Sequence, residues 1–399
     1  MYYKLVDDCI RFQTMGIEML GNPRTQLLIG LDEAGSALAN RLLVGCEVDI
    51  AHLSESEQAL MDALTKMHQF TSCEQTQTIR SVYFHVTARC NMHCPGCYSE
   101  ADRDSKADLP FADMTKIIDN IAGAHIRSLV ISGGEPFLRK DIILLLKYMK
   151  QIAKIPNLLC ITNGLADFDT YINACKYVDV LAFSLDGHDQ ASSFFRRDTH
   201  NKVVDMIKKL INAGCPVSII FTLHKRNLSN YQKMIALAAT LGVEYNFSVF
   251  TTAHSEVTAE FEFTAGDMDN LEEALAHDHS SLNDTAISAK IGCRDCCGAG
   301  SMELSITANG DIFPCHMFFE EKFLLGNALT DCLDTVFLDQ RPMFDVDRKN
   351  ECQKCEYRYI CGGGCLYRSF AVRGHLEDTD PLCPINASHI KQALSGLIG

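Results

Sequence analysis

Three cysteines fall within one short segment, Cys90-Asn-Met-His-Cys94-Pro-Gly-Cys97. Three thiolates on one tight loop suit an iron–sulfur cluster. A cube of four irons held by three local cysteines keeps one iron open to a non-protein ligand, much as a catalytic zinc keeps an open position. The same loop with a distant fourth ligand would also suit structural zinc, because soft thiolate sets serve both. A second array, Cys352-x2-Cys355-x5-Cys361-x3-Cys365, lies in the last quarter of the chain. Upstream of it, Cys297 is followed after twelve residues by Gly310 and four residues later by Cys315; downstream, Cys383 follows Cys365 after seventeen. Two four-thiolate zinc sites could staple a small domain with these residues.

The chain has 399 residues and 19 cysteines. Its first 30 residues lack the basic-then-apolar pattern of a secretory signal, and no apolar run reaches 18 residues. The sequence therefore predicts a reducing, cytoplasmic compartment without a membrane span, where clustered cysteines serve as metal or cluster ligands. Net charge is −15, from 36 Lys and Arg against 51 Asp and Glu. That balance argues against nucleic acid or an anionic membrane as the main partner. An apolar share of 47% and a charged share of 22% are ordinary for a globular chain, and the length predicts two or three domains.

The elements that must position these residues fall into zones. Residues 1–75 read as a small α+β unit. A hairpin or meander has a turn signal at Gly21-Asn22-Pro23, Asp32 caps a helix with Ala34, Leu38 and Leu42 at helical spacing, and a second helix runs from Ser54 to Phe70. Residues 76–250 alternate strands and helices. The predicted strands are Val82–Thr87, Leu129–Ser132, Leu158–Thr162, Val180–Leu185, Val217–Leu223 and Glu244–Phe250. Predicted helices include Met114–Gly123, Ile142–Ala153 and Val203–Ala213. Six such repeats predict a parallel sheet, open or closing toward a barrel. Chemistry in such sheets sits at the C-terminal strand ends. The cysteine loop, Gly133-Gly134-Glu135-Pro136, Thr162-Asn163-Gly164 and Ser184-Leu185-Asp186-Gly187 follow the first four strands in turn. Residues 251–290 read as a connecting helix and linker, and 291–399 as a cysteine-rich domain organised by metal rather than by a large core.

With these motifs together, the sequence resembles radical S-adenosylmethionine (SAM) enzymes carrying a C-terminal SPASM domain. The resemblance covers roughly residues 80–399. It implies a partial (β/α)6 TIM-type barrel, a catalytic [4Fe–4S] cluster on Cys90, Cys94 and Cys97, and SAM chelated at the fourth iron. It implies that Gly133, Gly134 and Glu135 meet the methionine ammonium, that Ser184 and Asp186 lie near the ribose, and that Thr162 and Asn163 line the same cleft. One of Arg196 or Arg197 would meet the SAM carboxylate. A first auxiliary cluster would take Cys297, Cys315, Cys365 and one of Cys293 or Cys296, with Cys293 preferred. A second would take Cys352, Cys355, Cys361 and Cys383, giving three [4Fe–4S] clusters in all. Cys9, Cys46, Cys73, Cys160, Cys175, Cys215 and Cys332 remain as small apolar residues.

Two departures from the family pattern stand out. The residue before the third cluster cysteine is usually aromatic and packs near adenine; here it is Gly96, with Tyr98 two positions on. The sulfatase-maturing branch carries an aspartate base after the Gly-x4-Cys cysteine; here it is His316. The N-terminal unit, with Leu31-Asp32-Glu33-Ala34-Gly35, is similar to winged-helix-like PqqD domains, which add a leader peptide as an edge strand. Together these resemblances imply a maturase of ribosomally made precursor peptides that forms a thioether or carbon–carbon crosslink, with a small redox protein as electron donor. The alternatives are a tetrapyrrole-modifying or protein-maturing member of the same family, and a zinc-stapled peptide-binding adaptor without catalysis.

Overall fold

A computed structural model describes residues 1–71, 79–99, 108–252, 259–277, 291–338 and 345–398. Cys73 and much of the 251–290 segment lie outside the described residues. The first five strands are β1 (Tyr2–Tyr3), β2 (Ile10–Thr14), β3 (Ile17–Asn22), β4 (Leu27–Leu31) and β5 (Cys46–Glu47). β2, β3 and β4 form an antiparallel meander, and β1 bridges β5. Met15 and Gly16 turn the first hairpin, both at positive φ, as a two-residue hairpin loop requires. Asp32 accepts a hydrogen bond from the Gly35 amide at 2.7 Å and starts α1 (Glu33–Val44). Ser54 and Glu57 cap each other's backbone before α2 (Glu55–Lys66). Leu5, Leu20, Leu38, Leu42, Leu60 and Leu64 close a core of their own between this sheet and the two helices.

Six parallel strands follow: β6 (Ser81–His85), β7 (Ser128–Ser132), β8 (Asn157–Thr162), β9 (Val180–Leu185), β10 (Val217–Leu223) and β11 (Glu244–Val249), each paired with the next. Helices α3 (Phe111–Gly123), α4 (Ile142–Lys147), α5 (Phe168–Ala174), α6 (His200–Asn212) and α7 (Tyr231–Leu241) cover them. Val82, Phe84, Leu129, Ile131, Phe183 and Phe221 are sealed in the main core. The strands are buried on both faces, so they read in sequence as apolar runs. The strand ranges agree with the sequence reading to within two residues. The helix expected over Ile142–Ala153 is α-helical only to Lys147 and continues as a π turn over Tyr148–Ile152.

The cysteine-rich segment has more core than its composition suggests. β12 (Glu303–Ile306) pairs in parallel with β6, and β13 (Asp311–Phe313) and β14 (Gly326–Asn327) continue antiparallel, making one nine-stranded sheet. Leu304, Ile306, Ile312, Leu382 and Ile385 join the barrel core. Strands of two to four residues leave too short a pattern to be seen as strands in the sequence. Further helices are α8 (Met268–Ala276), α9 (Leu333–Leu338), α10 (Arg358–Cys361), α11 (Leu366–Arg373) and α12 (Cys383–Ile398).

The N-terminal sheet docks on this segment. The Phe12 and Tyr359 rings lie 5.2 Å apart, and the Met15 amide donates to the Glu356 carboxylate at 2.6 Å. Among the described residues, no helix is long and apolar enough to cross a membrane.

Candidate active site and cluster-binding residues

The Cys90–Cys97 loop leaves the C-terminal end of β6. Its three thiols are half-buried, and the Cys97 amide closes a turn on the Cys94 carbonyl at 3.3 Å. Burial pushes the Cys90 and Cys94 thiols up; the Met92 amide pulls against it at Cys90, and the Arg196 guanidinium at Cys94. Gly96 sits at φ +62°, a left-handed conformation that glycine adopts without strain. An aromatic residue in this conformation would carry backbone strain. Tyr98 points instead toward β7, where its hydroxyl meets Ser132 Oγ at 3.1 Å, and its ring stands edge-on to His85 and His316.

The Gly-Gly-Glu segment after β7 is pressed against the chain leading into that loop. A Cβ on Gly133 would fall 2.4 Å from the Thr87 carbonyl oxygen, and one on Gly134 2.1 Å from that of Arg89. The Glu135 amide donates to the Arg89 carbonyl at 2.7 Å. The Glu135 carboxyl is buried and accepts from Thr162 Oγ1 at 2.8 Å, the Asn163 amide at 2.7 Å and the Phe137 amide at 3.2 Å. Burial pushes it up to about 7 against these hydrogen bonds. The Asn163 side chain reaches Asn91 Oδ1 at 2.7 Å, joining β8 to the cysteine loop.

Ser184 is half-buried at the end of β9, and Asp186 beyond it is fully buried. Asp186 Oδ2 accepts from the Phe194 and Phe195 amides, each at 2.6 Å, and so fixes the turn that carries both arginines. Burial raises this carboxyl, but His224, Arg196 and the two amides outweigh it and hold Asp186 below its ordinary range. The two arginines diverge. Arg196 is turned inward with Nη1 4.0 Å from Asp186 Oδ1, and its charge acts on Cys90, Cys94 and Cys97. Its Nε and Nη1, and Asp186 Oδ1, are buried without a hydrogen-bond partner. Arg197 is exposed and folds back, donating from Nε to the Ser193 carbonyl at 3.2 Å. Consecutive residues on this turn face opposite ways, and of the two candidates it is Arg196 that turns toward the cysteine loop.

The C-terminal cysteines separate into two groups. Cys352, Cys355, Cys361 and Cys383 line one small pocket of about 50 Å³ together with Asn386. Asn386 is buried, and neither end of its side-chain amide has a hydrogen-bond partner. Burial pushes Cys352 to about 11 and Cys361 to about 12. Cys297, Cys315 and Cys365 pack together around Cys296, Phe313 and Phe318, and burial raises all four thiols. Cys293, the other candidate for this group, lies elsewhere. It is sealed among Phe12, Met19, Ile360 and Ile390, and a Cβ on Gly21 of β3 would lie 2.5 Å from its Sγ. The docked N-terminal sheet turns this thiol into a packing residue, which no local spacing discloses. Cys296, hydrogen-bonded to Ser301 Oγ at 2.7 Å, is the member of the trio that accompanies Cys297.

Sequence reasoning missed three partners. Glu303 Oε1 lies 3.0 Å from His316 Nδ1, and His316 stacks on Tyr83 at 4.0 Å. Ligand atoms of Glu303, Cys315 and His316 lie within 4.8 Å of one another. His224 is buried 3.8 Å from Asp186 among Phe194, Phe195 and Phe261. Arg89, next to Cys90, is held by Asp108 at 2.5 Å. Only the Glu-x12-His spacing and the Arg-Cys dipeptide were visible beforehand, and neither is diagnostic.

The chain is similar to known proteins over most of its length. The family model described as the Radical SAM superfamily matches residues 84–238, and SPASM, described as an iron–sulfur cluster-binding domain, matches residues 293–356. The PqqA peptide cyclase of Streptomyces rochei is 25% identical over 323 residues, 75% of this chain and 88% of that protein. The mycofactocin maturase MftC of Mycobacterium tuberculosis is 26% identical over 325 residues, 75% and 81% of the two chains. The structure of Streptococcus suis SuiB bound to precursor peptide SuiA superposes with TM-score 0.61 at 17% identity, covering 96% of this chain and 99% of that one. That of anSMEcpe with bound AdoMet and a Cp18Cys peptide gives 0.62 at 15%, covering 80% and 97%. With a cysteine loop, a glycine-pressed strand end and a two-group cysteine segment in place, the chain belongs to the radical SAM superfamily and carries a SPASM iron–sulfur cluster-binding domain behind its barrel.

Proposed function

We propose that the protein matures a ribosomally made precursor peptide, forming a thioether or carbon–carbon crosslink, with three [4Fe–4S] clusters and SAM. Cys90, Cys94 and Cys97 hold the first cluster; Cys296, Cys297, Cys315 and Cys365 the second; Cys352, Cys355, Cys361 and Cys383 the third. When bound, the reduced first cluster supplies the electron that splits SAM into methionine and a 5′-deoxyadenosyl radical able to take hydrogen from the substrate. The chain's own residues bind and orient. Glu135 faces the methionine ammonium from the end of β7, where its hydrogen bonds from Thr162 and Asn163 prevent it from turning. Arg196 meets the carboxylate. Ser184 and Asp186 border the ribose, and the buried strand ends exclude water.

The observation that carries the cofactor reading is Arg196, a buried guanidinium with unpartnered nitrogens aimed at the cysteine loop. Asp186 stands 4.0 Å away without a hydrogen bond to it, so these buried nitrogens still lack acceptors, and a second carboxylate would supply them. The peptide reading is supported by the names of the relatives and by the N-terminal meander. Its edge strands β2 and β4 pair with no further strand among the described residues, so an extended leader can add there. A small redox protein supplies the electron. A reducing cytoplasm keeps the thiols unpaired, in keeping with the described cysteines, all of which are free.

The test uses the intact enzyme and short peptides encoded in neighbouring reading frames. A candidate peptide with its leader should be modified and lose mass, and the same core without the leader should bind and react at least tenfold less well. Equal modification of both would remove the leader-reading role.

A further inference from the structure

Lys349 is a buried cation in the midst of the C-terminal cysteines, 2% exposed. It lies three residues before Cys352, and its Nζ donates to the Gly363 carbonyl at 3.0 Å, between Cys361 and Cys365. Gly363 is at φ +80°, and a Cβ there would lie 3.1 Å from Lys349 Cδ, so the glycine makes room for the lysine stem. The Val346 amide donates to the Asp295 carbonyl at 2.6 Å, tying the lysine turn to the segment that bears Cys296 and Cys297. The turn that bears Lys349 is thus bonded to two further cysteine-bearing segments, one of them through the ammonium itself. Gly363, which receives the ammonium, lies between Cys361 of one cysteine group and Cys365 of the other.

A buried cation needs an anion. The neighbouring Arg368 has one, since Asp380 meets it in two bonds of 2.6 and 2.8 Å. Among the described residues Lys349 pairs with no carboxylate, and its ammonium donates to a neutral carbonyl. A cube of iron and sulfide on four thiolates is an anion, and net charge around a cluster sets its reduction potential. We propose that Lys349 is the shared counter-charge of the two auxiliary clusters, a positioning residue that favours the reduced form of both. The inference rests on the proposed loading of both cysteine groups with clusters. It gives the two clusters a common electrostatic control and makes them readier acceptors of an electron from a substrate radical.

The test is a redox titration followed by electron paramagnetic resonance. It is run on full-length protein in which Cys90, Cys94 and Cys97 are replaced by alanine, so that only auxiliary clusters report. Lys349→Met removes charge and hydrogen bond, Lys349→Gln removes charge while keeping a donor for Gly363, and Lys349→Arg keeps charge. At parental iron content, both neutral variants should shift both midpoint potentials to more negative values, and Lys349→Arg should stay with the parent. Unchanged potentials in the neutral variants, a shift in one cluster alone, or an equal shift in Lys349→Arg would each overturn the proposal. Iron lost from both neutral variants but kept by Lys349→Arg supports the charge as the requirement; iron lost from all three assigns the residue a packing role and overturns it. Zinc in place of iron in the parent is a failure of the cofactor reading, seen before any lysine variant is compared.

Discussion

The Glu135 carboxylate receives the Asn163 backbone amide at 2.7 Å, and this one bond ties the end of β7 to the end of β8. Asn163 in turn reaches Asn91 inside the cysteine loop, so this carboxylate and the loop are held in one hydrogen-bonded frame. Replacing Glu135 by Gln removes the charge and sets an amide donor against the Asn163 amide. SAM affinity should fall by about tenfold to a hundredfold, the worth of one charged hydrogen bond at a buried site. Equilibrium dialysis against the reconstituted protein measures it.

The same carboxyl gives a pH dependence. Burial raises it from an ordinary 4.5 to about 7, so the fold favours its neutral form. Its contribution to stability is full below the unfolded value and is lost as pH rises through about 7, a change of about 3 kcal/mol. Denaturant unfolding of SAM-free protein between roughly pH 5 and pH 8 should show this decline, and Glu135→Gln should flatten it. A parallel slope in the variant would assign the decline to other groups.

Arg196 and Arg197 are adjacent and should behave differently. Arg196→Ala should weaken SAM binding by about 2–3 kcal/mol, roughly 30- to 150-fold. Arg197→Ala should change it by less than about twofold, because an exposed side chain contributes little. Isothermal titration under argon separates the two outcomes.

Cys293 and Cys296 are likewise close in sequence and pack in different groups. Cys293→Ala should keep the full iron complement and cost stability on the order of 1 kcal/mol, the loss of a buried sulfur against Phe12 and Met19. Cys296→Ser should lower iron content. Iron and sulfide assays on the two variants decide, and iron lost only from Cys293→Ala would reverse the assignment.

Gly96 is fixed by its backbone. A phenylalanine there, restoring the aromatic common in the family, must take φ near +62°, at a cost of about 1–2 kcal/mol. Cluster loading on Cys90, Cys94 and Cys97 should drop in Gly96→Phe and hold better in Gly96→Asn, since asparagine tolerates this conformation. Mössbauer or iron quantification in a protein lacking the auxiliary cysteines provides the comparison.

Much of this was legible in the sequence for physical reasons. Val82, Phe84, Ile131 and Phe183 lie in strands sealed on both faces, so apolar runs marked the barrel. The Cys-x3-Cys-x2-Cys loop was legible because a cluster fixes ligand spacing on a single turn. What stayed hidden depends on segments far apart in the chain. Cys293 is decided by the docking of β3, the choice of Arg196 by the Asp186 clamp, and Lys349 by the convergence of three loops. β12 to β14 were missed because strands of two to four residues carry almost no period. Gly96 departs from the family pattern in the sequence, and its left-handed backbone could not be read there.

The most direct test is anaerobic. Protein reconstituted with iron and sulfide is given SAM, dithionite and a candidate precursor peptide, and 5′-deoxyadenosine and peptide mass are measured against a Cys90/Cys94/Cys97→Ala control. The account requires about 12 irons per chain, 5′-deoxyadenosine from the wild type alone, and a peptide lighter by two hydrogens per crosslink. A colourless, zinc-loaded protein that binds peptide and forms no 5′-deoxyadenosine would contradict it.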